Sequence, residues 1–343
     1  MKKIFSIIFS IIFSALLFLL PLIANCGIAL SEPIEITDVL GRIVSLSSPA
    51  ASVVGTHNPT MNIAVILGGG GQYIAGFGNK NMAGRLYSYV YPELEELVQI
   101  GKGRDINYES CLAVNADLAI LPERFADLVE QFEEIGIPAA VILPNAESFE
   151  TIQNSIQLLG TLLGEDERAA QIVDFFNHKI AITQDIAQSA SYHPRVICLG
   201  ASSQLTVANG LMLQSTLVET AGAVNIAKDA PGKGDFVEVT LEEIIAWDPE
   251  IVLIPVYAQY SAEDLLSDPT WSSIQAIKAG KVLVFPSALE PWDYPTPSAS
   301  LALVWLVSNL HPDLYSAEQV LADAQEYYEL VYGQSFDADQ LGL

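Results

Sequence analysis

Hydrophobic and polar positions follow two distinct rhythms along the chain from Ile34 onward. Short β-branched runs predict buried strands, and longer runs with apolar residues three or four positions apart predict amphipathic helices. A hairpin is predicted over residues 36–46, with Gly41 in its turn. Because strands then alternate with helices, the pattern predicts parallel β-α-β units. The predicted strands are 51–55, 73–77, 118–121, 139–142, 194–200, 251–254 and 282–285, and the predicted helices include 58–67, 126–135 and 148–163.

One further predicted helix is notable for its length and its central place. It begins after Gly164, extends to about Ser189 and has apolar residues at helical spacing, and a new strand starts near Pro194. We therefore predict an α/β fold of two lobes, each a central, mostly parallel sheet flanked by helices, joined by this one long helix. The predicted boundaries are 34–163 for the N-terminal lobe, 164–190 for the connecting helix and 193–343 for the C-terminal lobe.

Residues 1–30 have the pattern of an export signal. The basic pair Lys2-Lys3 precedes a long apolar run, as in a signal peptide. The run is also long enough to span a bilayer, so a retained anchor is the alternative. Leu22–Gly27 is similar to a bacterial lipobox, which predicts lipid attachment at Cys26, although Asn25 departs from the pattern and cleavage without lipid stays open. In each case we expect an extracytoplasmic protein, in the periplasm or at the outer face of the cell membrane.

The charge of the chain restricts its partners. It has 41 acidic and 15 basic residues, and its formal net charge is -26. Such a charge repels nucleic-acid phosphates and anionic lipid surfaces, so no nucleic-acid partner is predicted. An anionic ligand would need local positive charge to overcome this field. The few basic residues therefore carry information about the ligand.

Catalytic and cofactor motifs are missing from the sequence. It contains no H-E-x-x-H, G-x-S-x-G or C-x-x-C spacing. Gly68–Gly71 is not followed by Lys-Ser or Lys-Thr, which argues against a phosphate-binding loop. Cys111 and Cys198 lie in apolar runs and are predicted to be buried. We predict a protein that is not an enzyme, has no cofactor and has no directly predicted metal ligands, with a metal-chelatase-like enzyme as the alternative.

Candidate ligand-binding residues follow from the position of strand ends. In open α/β sheets, ligands bind beyond the carboxyl ends of the strands. In the first half this rule selects His57 and Asn58, at the start of a helix whose N-terminus favours an anion. It also selects Asn79, Lys80 and Arg124 after two further strands. For His57 a capping or packing role is the alternative.

The same rule applies to the second half. Trp292 and Tyr294 lie in a proline-rich loop and would form an aromatic platform suited to an organic chelate. The alternative is a packed loop that stabilises the helix predicted to start near Ser298. The residues selected in this half are Ser202, Ser203, Tyr257, Glu290, Trp292 and Tyr294.

Four ordered segments resemble a known family. Ile36–Val44, Leu112–Ile120, Leu217–Ile226 and Leu241–Val252 resemble segments of the helical-backbone (class III) periplasmic substrate-binding proteins of ABC importers. This resemblance implies two rigid lobes held by one helix, with a ligand in the cleft between them. It further implies a monomer that docks to the membrane permease.

The resemblance also implies docking residues and a ligand class. A glutamate on each lobe is expected to contact permease arginines, and Glu93 and Glu219 fit best, with ordinary surface roles as the alternative. The aromatic loop favours a metal complex, such as a ferric siderophore, haem or cobalamin, which is the preferred prediction. His57, Lys80 and Arg124 favour the alternative, an oxyanion such as molybdate or tungstate. A surface adhesin or sensor would lack the paired docking carboxylates.

Overall fold

A computed structural model of the protein describes residues 33–80, 85–234 and 236–343. Within them, the strands are β1 (Ile34–Thr37), β2 (Ile43–Leu46), β3 (Val53–Gly55), β4 (Ile74–Phe77), β5 (Gly101–Lys102), β6 (Asp105–Ile106), β7 (Leu118–Pro122), β8 (Ala139–Leu143), β9 (Arg195–Cys198), β10 (Thr206–Val207), β11 (Val224–Asn225), β12 (Val237–Glu238), β13 (Ile251–Ile254) and β14 (Val282–Val284).

The α-helices are α1 (Asn58–Leu67), α2 (Tyr87–Val90), α3 (Tyr108–Ala113), α4 (Val129–Glu134), α5 (Phe149–Leu163), α6 (Asp166–Ser189), α7 (Leu213–Thr220), α8 (Leu241–Trp247), α9 (Ala262–Ser267), α10 (Gln275–Lys278), α11 (Ala299–Leu310), α12 (Ala317–Tyr332) and α13 (Ala338–Leu341). Short 3-10 helices cover Pro92–Glu96, Glu123–Leu128 and Pro269–Trp271.

Two four-stranded parallel sheets share one topology. The first has the order β4-β3-β7-β8, and the second has the order β11-β9-β13-β14. In each sheet the second strand of the chain lies on one side of the first strand, and the last two lie on its other side. The direction of strand addition therefore reverses between β3 and β7, and between β9 and β13. Such reversal points are where α/β sheets place their ligands.

The long helix α6 connects the two sheets in sequence. Ser148 caps the preceding helix α5 with a capping box, and Gly164 ends it with a left-handed φ of 74°. Helix α6 then continues for 24 residues, which corresponds to roughly 36 Å of helix. It packs against α5, α7, α11 and α12. The predicted fold class, two parallel sheets flanked by helices and joined by one long helix, is confirmed.

The core shows how firmly the two halves are joined. One large apolar cluster includes buried residues of α1, α5, α6, α11 and α12, and it reaches one face of each sheet. Separate clusters cover the opposite faces of the first and second sheets. Residues Ile34–Leu343 form one compact unit, so the lobe boundaries at 163/164 and 190/193 stay a prediction.

Most of the predicted elements are present with small changes of length. The hairpin forms between β1 and β2, with Gly41 at a φ of 78°, and Cys111 and Cys198 are buried free cysteines. The helix predicted over 126–135 is instead a 3-10 helix over Glu123–Leu128 followed by α4. Phe125 has non-helical dihedrals there and interrupts the helix.

The predicted leader, residues 1–30 with the predicted lipid-attachment site Cys26, lies outside the described residues. In the part of the chain that the structure describes, no helix combines the length and apolarity that a membrane span requires.

Candidate functional site

A cavity of about 320 Å³ lies where the carboxyl ends of the two sheets face each other. Both halves supply its walls. Six of the predicted ligand-binding residues line it, namely His57, Asn58, Asn79, Arg124, Tyr257 and Tyr294. Its other lining residues are Thr56, Pro59, Phe125, Glu147, Met212, Gln214, Gly234, Phe236, Asp293 and Pro295.

The first wall is built where β3 leads directly into α1. Strand β3 is fully buried, and His57 occupies the N-cap position of α1 with an extended backbone. Pro59 fits the first turn of this helix because proline lacks the amide hydrogen that is unpaired there anyway. The His57 side chain makes no capping hydrogen bond, so the capping alternative is wrong. This junction places the side chains of His57 and Asn58 against the cavity.

His57 is a neutral imidazole in this setting. Burial, and secondarily the positive charge of Arg124, lowers its pKa to about 3. Its Nδ1 is buried and has no hydrogen-bond partner among the described residues. The ring meets Phe125 edge-on, with centroids 6.1 Å apart. An uncharged ring nitrogen is thereby available to a ligand.

Arg124 supplies positive charge to the first wall. It follows β7 and lies 3.5 Å from the Glu147 carboxylate, measured from Nη2 to Oε1. The Arg124 side chain is 42% exposed, whereas Glu147 is only 9% exposed. Nearby, Asn79 donates from Nδ2 to the Thr56 carbonyl oxygen at 3.0 Å, which fixes the amide beside the helix start. Arg124 is therefore held by one carboxylate at the cavity edge.

The second wall centres on Asp293. Its Oδ2 accepts hydrogen bonds from the Tyr257 hydroxyl at 3.1 Å and from the Gln214 amide at 3.3 Å. Burial raises the pKa of Asp293 to about 6, although these two hydrogen bonds partly oppose the shift. The Tyr294 ring packs edge-on against the Tyr257 ring, with centroids 4.9 Å apart. This wall thus joins an aromatic pair to a carboxyl group that titrates near neutral pH.

Several buried polar atoms in the cavity wall have no protein partner among the described residues. Leaving such an atom unpaired costs about 1–3 kcal/mol, so a polar ligand that pairs them is favoured. The atoms are Nδ1 of His57, Oδ1 and Nδ2 of Asn58, Oδ1 of Asn79, Oε1 of Gln214 and Oδ1 of Asp293. They come from both halves, as a ligand held between the sheets requires.

Five predicted binding residues are not in the cavity lining, and three of them interact with, or lie in, nearby loops. Lys80 donates instead to the carbonyl oxygens of Glu95 at 2.8 Å and of Leu97 at 2.6 Å. Ser203 accepts from the amide of Leu205, and Ser202 is exposed. The strands before these residues do end near the site. The side chains of Lys80 and Ser203, however, form hydrogen bonds with backbone groups of nearby loops.

Trp292 and Glu290 are also placed differently from the prediction. Trp292 is fully buried, and its Nε1 donates to the Tyr328 hydroxyl of α12 at 3.1 Å. Trp292 therefore packs against α12, whereas the alternative named the helix that starts near Ser298, and the aromatic surface of the cavity is formed by Tyr257 and Tyr294. Glu290 is 5% exposed and accepts from Asn62 behind the cavity.

Glu147, Gln214 and Asp293 were missed by the sequence analysis. Glu147 follows β8, so the strand-end rule would have selected it. Asp293 lies in the proline-rich loop between two selected residues. Gln214 begins α7, and no strand signal precedes it because β10 has only two residues.

The two predicted docking glutamates lie on the surface. Glu93 is exposed on the 3-10 helix Pro92–Glu96. Glu219 lies in the last turn of α7, where its carboxylate is 47% exposed and 3.6 Å from the Lys228 ammonium group. Their role stays a prediction. Within the described ranges, no three His, Cys, Asp or Glu side chains are grouped to hold a metal ion.

Comparison with known proteins yields a consistent set of relatives. A family model described as "Periplasmic binding protein" matches residues 64–289. The molybdate-binding protein MolA of Haemophilus influenzae is 28% identical over 327 residues, covering 89% of this chain and 92% of MolA. The vitamin B12-binding protein of Pectobacterium carotovorum is 26% identical over 188 residues, covering 53% of this chain and 66% of that protein.

Solved structures share the fold. A periplasmic solute-binding protein from Veillonella parvula has a TM-score of 0.78 at 24% identity, over 90% of this chain and 95% of its own. The structure of Haemophilus influenzae MolA bound to molybdate has a TM-score of 0.77 at 23% identity, over 88% of this chain and 99% of its own. The fold of this chain therefore recurs in these proteins.

Proposed function

This chain belongs to the periplasmic binding protein family, and we propose that it captures a small oxyanion of the molybdate and tungstate class for an ABC importer. The main support for this proposal is the cavity itself, because its walls come from the carboxyl ends of both sheets. A ligand that contacts both walls stabilises one arrangement of the two halves, and such an arrangement can be recognised by a transporter.

The size of the cavity supports a compact ligand. Small-molecule sites span roughly 300–1,000 Å³, and this cavity of about 320 Å³ lies at the lower limit. A tetrahedral oxyanion, or a small chelate, fits within it, whereas a corrin ring with its side groups would require the walls to separate. We therefore propose the oxyanion, which was the alternative from the sequence, ahead of the larger metal complex.

The donors of the first wall suit an anion. The first turn of α1 includes the backbone amides of Asn58 and Thr60, which helix geometry leaves without a partner inside the helix, and Arg124 adds a full charge at the edge of the cavity. The Asn58 amide and the neutral His57 ring supply further polar groups. In a protein of net charge -26, this local set of donors is what an anionic ligand needs. The relative MolA, named for molybdate binding, supports the same class.

Two carboxyl groups of the cavity would repel an anion, but the negative charge of each can be neutralised. Glu147 already pairs with Arg124, so it competes with the ligand for that guanidinium group. Asp293 has a pKa raised to about 6 by burial, so a nearby dianion favours its protonated form. We propose that proton uptake at Asp293 accompanies binding.

A compact metal chelate is the second candidate. The Tyr257 and Tyr294 rings, together with Phe125, give the cavity apolar surface suited to an organic ligand. The unpaired Nδ1 of neutral His57 could complete the coordination of a chelated metal. The vitamin B12-binding relative matches 53% of this chain, but it does not support a compact chelate, because a corrin ring would require the walls of this cavity to separate.

We further propose how the loaded protein meets its transporter. Glu93 and Glu219, one on each half, would contact arginines of the permease, so that a monomer spans the transporter's two-fold axis. The protein would work outside the cytoplasmic membrane, with lipid attachment at Cys26. Its role is capture and delivery rather than catalysis.

The test is a binding screen of a shortened form of the protein that begins at Glu32 and therefore lacks the predicted leader and Cys26. We expect molybdate and tungstate to raise the melting temperature in proportion to the logarithm of their concentration, and sulfate to do so less. Ferric siderophores, haem and cobalamin serve as the competing panel. A shift with cobalamin or a ferric siderophore, and none with either oxyanion, would overturn the proposed ligand.

A further inference from the structure

A second and much smaller cavity lies directly behind the main one. Its volume is about 20 Å³, enough for a single water-sized sphere. Asn58 and Tyr294 line both cavities, so one layer of side chains separates them. Asn62 of α1 and Glu290 of the loop after β14 complete the small cavity from opposite halves of the molecule.

Unpaired oxygen atoms surround this small cavity. Asn62 is 7% exposed and Glu290 is 5% exposed, so both are more than nine-tenths buried. Oδ1 of Asn62, Oε1 of Glu290 and Oδ1 of Asn58 have no hydrogen-bond partner among the described residues. The donors of Asn62 are already used, because its Nδ2 donates to the Tyr87 hydroxyl at 3.1 Å and to Oε2 of Glu290 at 3.2 Å. Three buried oxygen acceptors at this cavity therefore lack a partner among the described residues, beside one unpaired donor, Nδ2 of Asn58.

The charge of Glu290 is also unbalanced. No lysine or arginine in the described ranges forms an ion pair with it. A buried carboxylate must either take up a proton or gain a cation. Oxygen atoms are the ligands that hard cations prefer, and a single carboxylate balances a single positive charge. A divalent ion would call for a second carboxylate, which this cavity does not have.

We propose that this cavity binds one sodium ion through Asn58, Asn62 and Glu290. The ion joins α1 of the first half to the loop of the second half, which stabilises their contact. Because Asn58 also lines the main cavity, the ion fixes one side chain of the ligand site. The small volume favours sodium over the larger potassium ion.

Protons compete with sodium at this site. Burial raises the pKa of Glu290 to about 7, partly opposed by hydrogen bonding with Tyr328 and Asn62. The titratable groups that face it are Tyr87 of α2 and three tyrosines of α12, whose pKa values are all raised. They stay neutral across the range in which Glu290 titrates. Sodium should therefore act above about pH 7 and lose its effect near pH 5, where Glu290 is protonated. The α12 tyrosines are Tyr327, Tyr328 and Tyr332.

The experiment compares melting temperatures of the ligand-free shortened protein in the chlorides of sodium, potassium and choline at equal ionic strength. At about pH 8 we expect the melting temperature to rise with sodium concentration, less with potassium and not with choline. Glu290→Gln should abolish the difference between salts. The matched control Glu130→Gln removes an exposed carboxylate from α4 and should keep it.

Equal melting temperatures in the three salts would mean that water or a proton fills the cavity, and this would overturn the proposal. So would a sodium response that survives in Glu290→Gln. If that variant does not fold, sodium NMR line broadening by the wild-type protein, lost near pH 5, is the second measurement, and no broadening would refute the site. These measurements contain no transported ligand, so a negative result for sodium would not bear on the proposed function.

Discussion

The connecting helix α6 is fastened to α12 by one buried lysine. Lys179 is 3% exposed at its side chain, and its Nζ lies 2.8 Å from Asp323 and 3.0 Å from Glu326. The Asp323 side chain is 12% exposed and also accepts from the Tyr315 hydroxyl, whereas Glu326 is 61% exposed. We predict that Lys179→Met, which keeps the length of the side chain, strongly lowers the free energy of unfolding.

The magnitude follows from the burial of the two partners. Breaking a buried ion pair costs about 3–5 kcal/mol, because the remaining charge stays desolvated. The exposed contact with Glu326 adds at most about 1 kcal/mol. The Tyr315 hydroxyl still stabilises the Asp323 carboxylate, so the loss should lie near the lower limit, at about 3 kcal/mol. Adding Asp323→Asn to Lys179→Met removes the unpaired charge and should recover most of the lost stability.

Urea unfolding, followed by circular dichroism, measures the change in the free energy of unfolding. The dependence of this free energy on urea concentration should be the same for the variant and the wild type. The exposed Lys102→Met is the control and should change stability by no more than about 0.5 kcal/mol. Lys179 does not line the ligand cavity, so the ligand affinity of folded Lys179→Met should match the wild type. A loss below about 1 kcal/mol, or a double variant no more stable than Lys179→Met, would refute the reasoning.

Three further predictions concern the ligand and the transporter. Arg124→Gln should weaken molybdate binding by roughly tenfold to a hundredfold in calorimetric titration, because a charged hydrogen bond is lost; unchanged affinity would remove Arg124 from the site. In the wild type, molybdate affinity should rise as the pH falls from about 8 through the Asp293 pKa of about 6, whereas Asp293→Asn should bind with a pH-independent affinity; parallel pH profiles would contradict proton uptake there. Replacing Glu93 and Glu219 by Ala should abolish import into cells while calorimetric affinity stays the same, and normal import would exclude them as docking residues.

The periodic elements could be predicted because their signals are local. Apolar residues at helical spacing placed α6 to within a residue or two, and β-branched runs located the central strands of both sheets. The strand-end rule then brought His57, Arg124 and Tyr257 to one cavity without knowledge of the strand order. What the sequence did not reveal is that both sheets use the same order, since strand pairing depends on contacts far apart along the chain.

The side chains that were misplaced depend on distant packing. Trp292 was predicted to face a ligand, but its indole is buried in the core. It donates a hydrogen bond there to Tyr328, which lies 36 positions later in the sequence. Lys80 has a long flexible side chain that reaches the carbonyl groups of Glu95 and Leu97, which no local pattern indicates. Glu147 was within reach of the strand-end rule, because it follows β8, but the rule was not applied to that strand. The positions of these side chains therefore depend on tertiary contacts, which the local sequence pattern does not indicate.

The proposed function requires that groups from both sheets hold a small oxyanion in the cavity between them. Anomalous diffraction at the molybdenum edge, from crystals of the shortened protein grown with molybdate, tests it most directly. We expect one strong peak within contact distance of Arg124 and His57 on one side and of Tyr257 or Tyr294 on the other. A peak elsewhere on the molecule, or none at saturating molybdate, would contradict it.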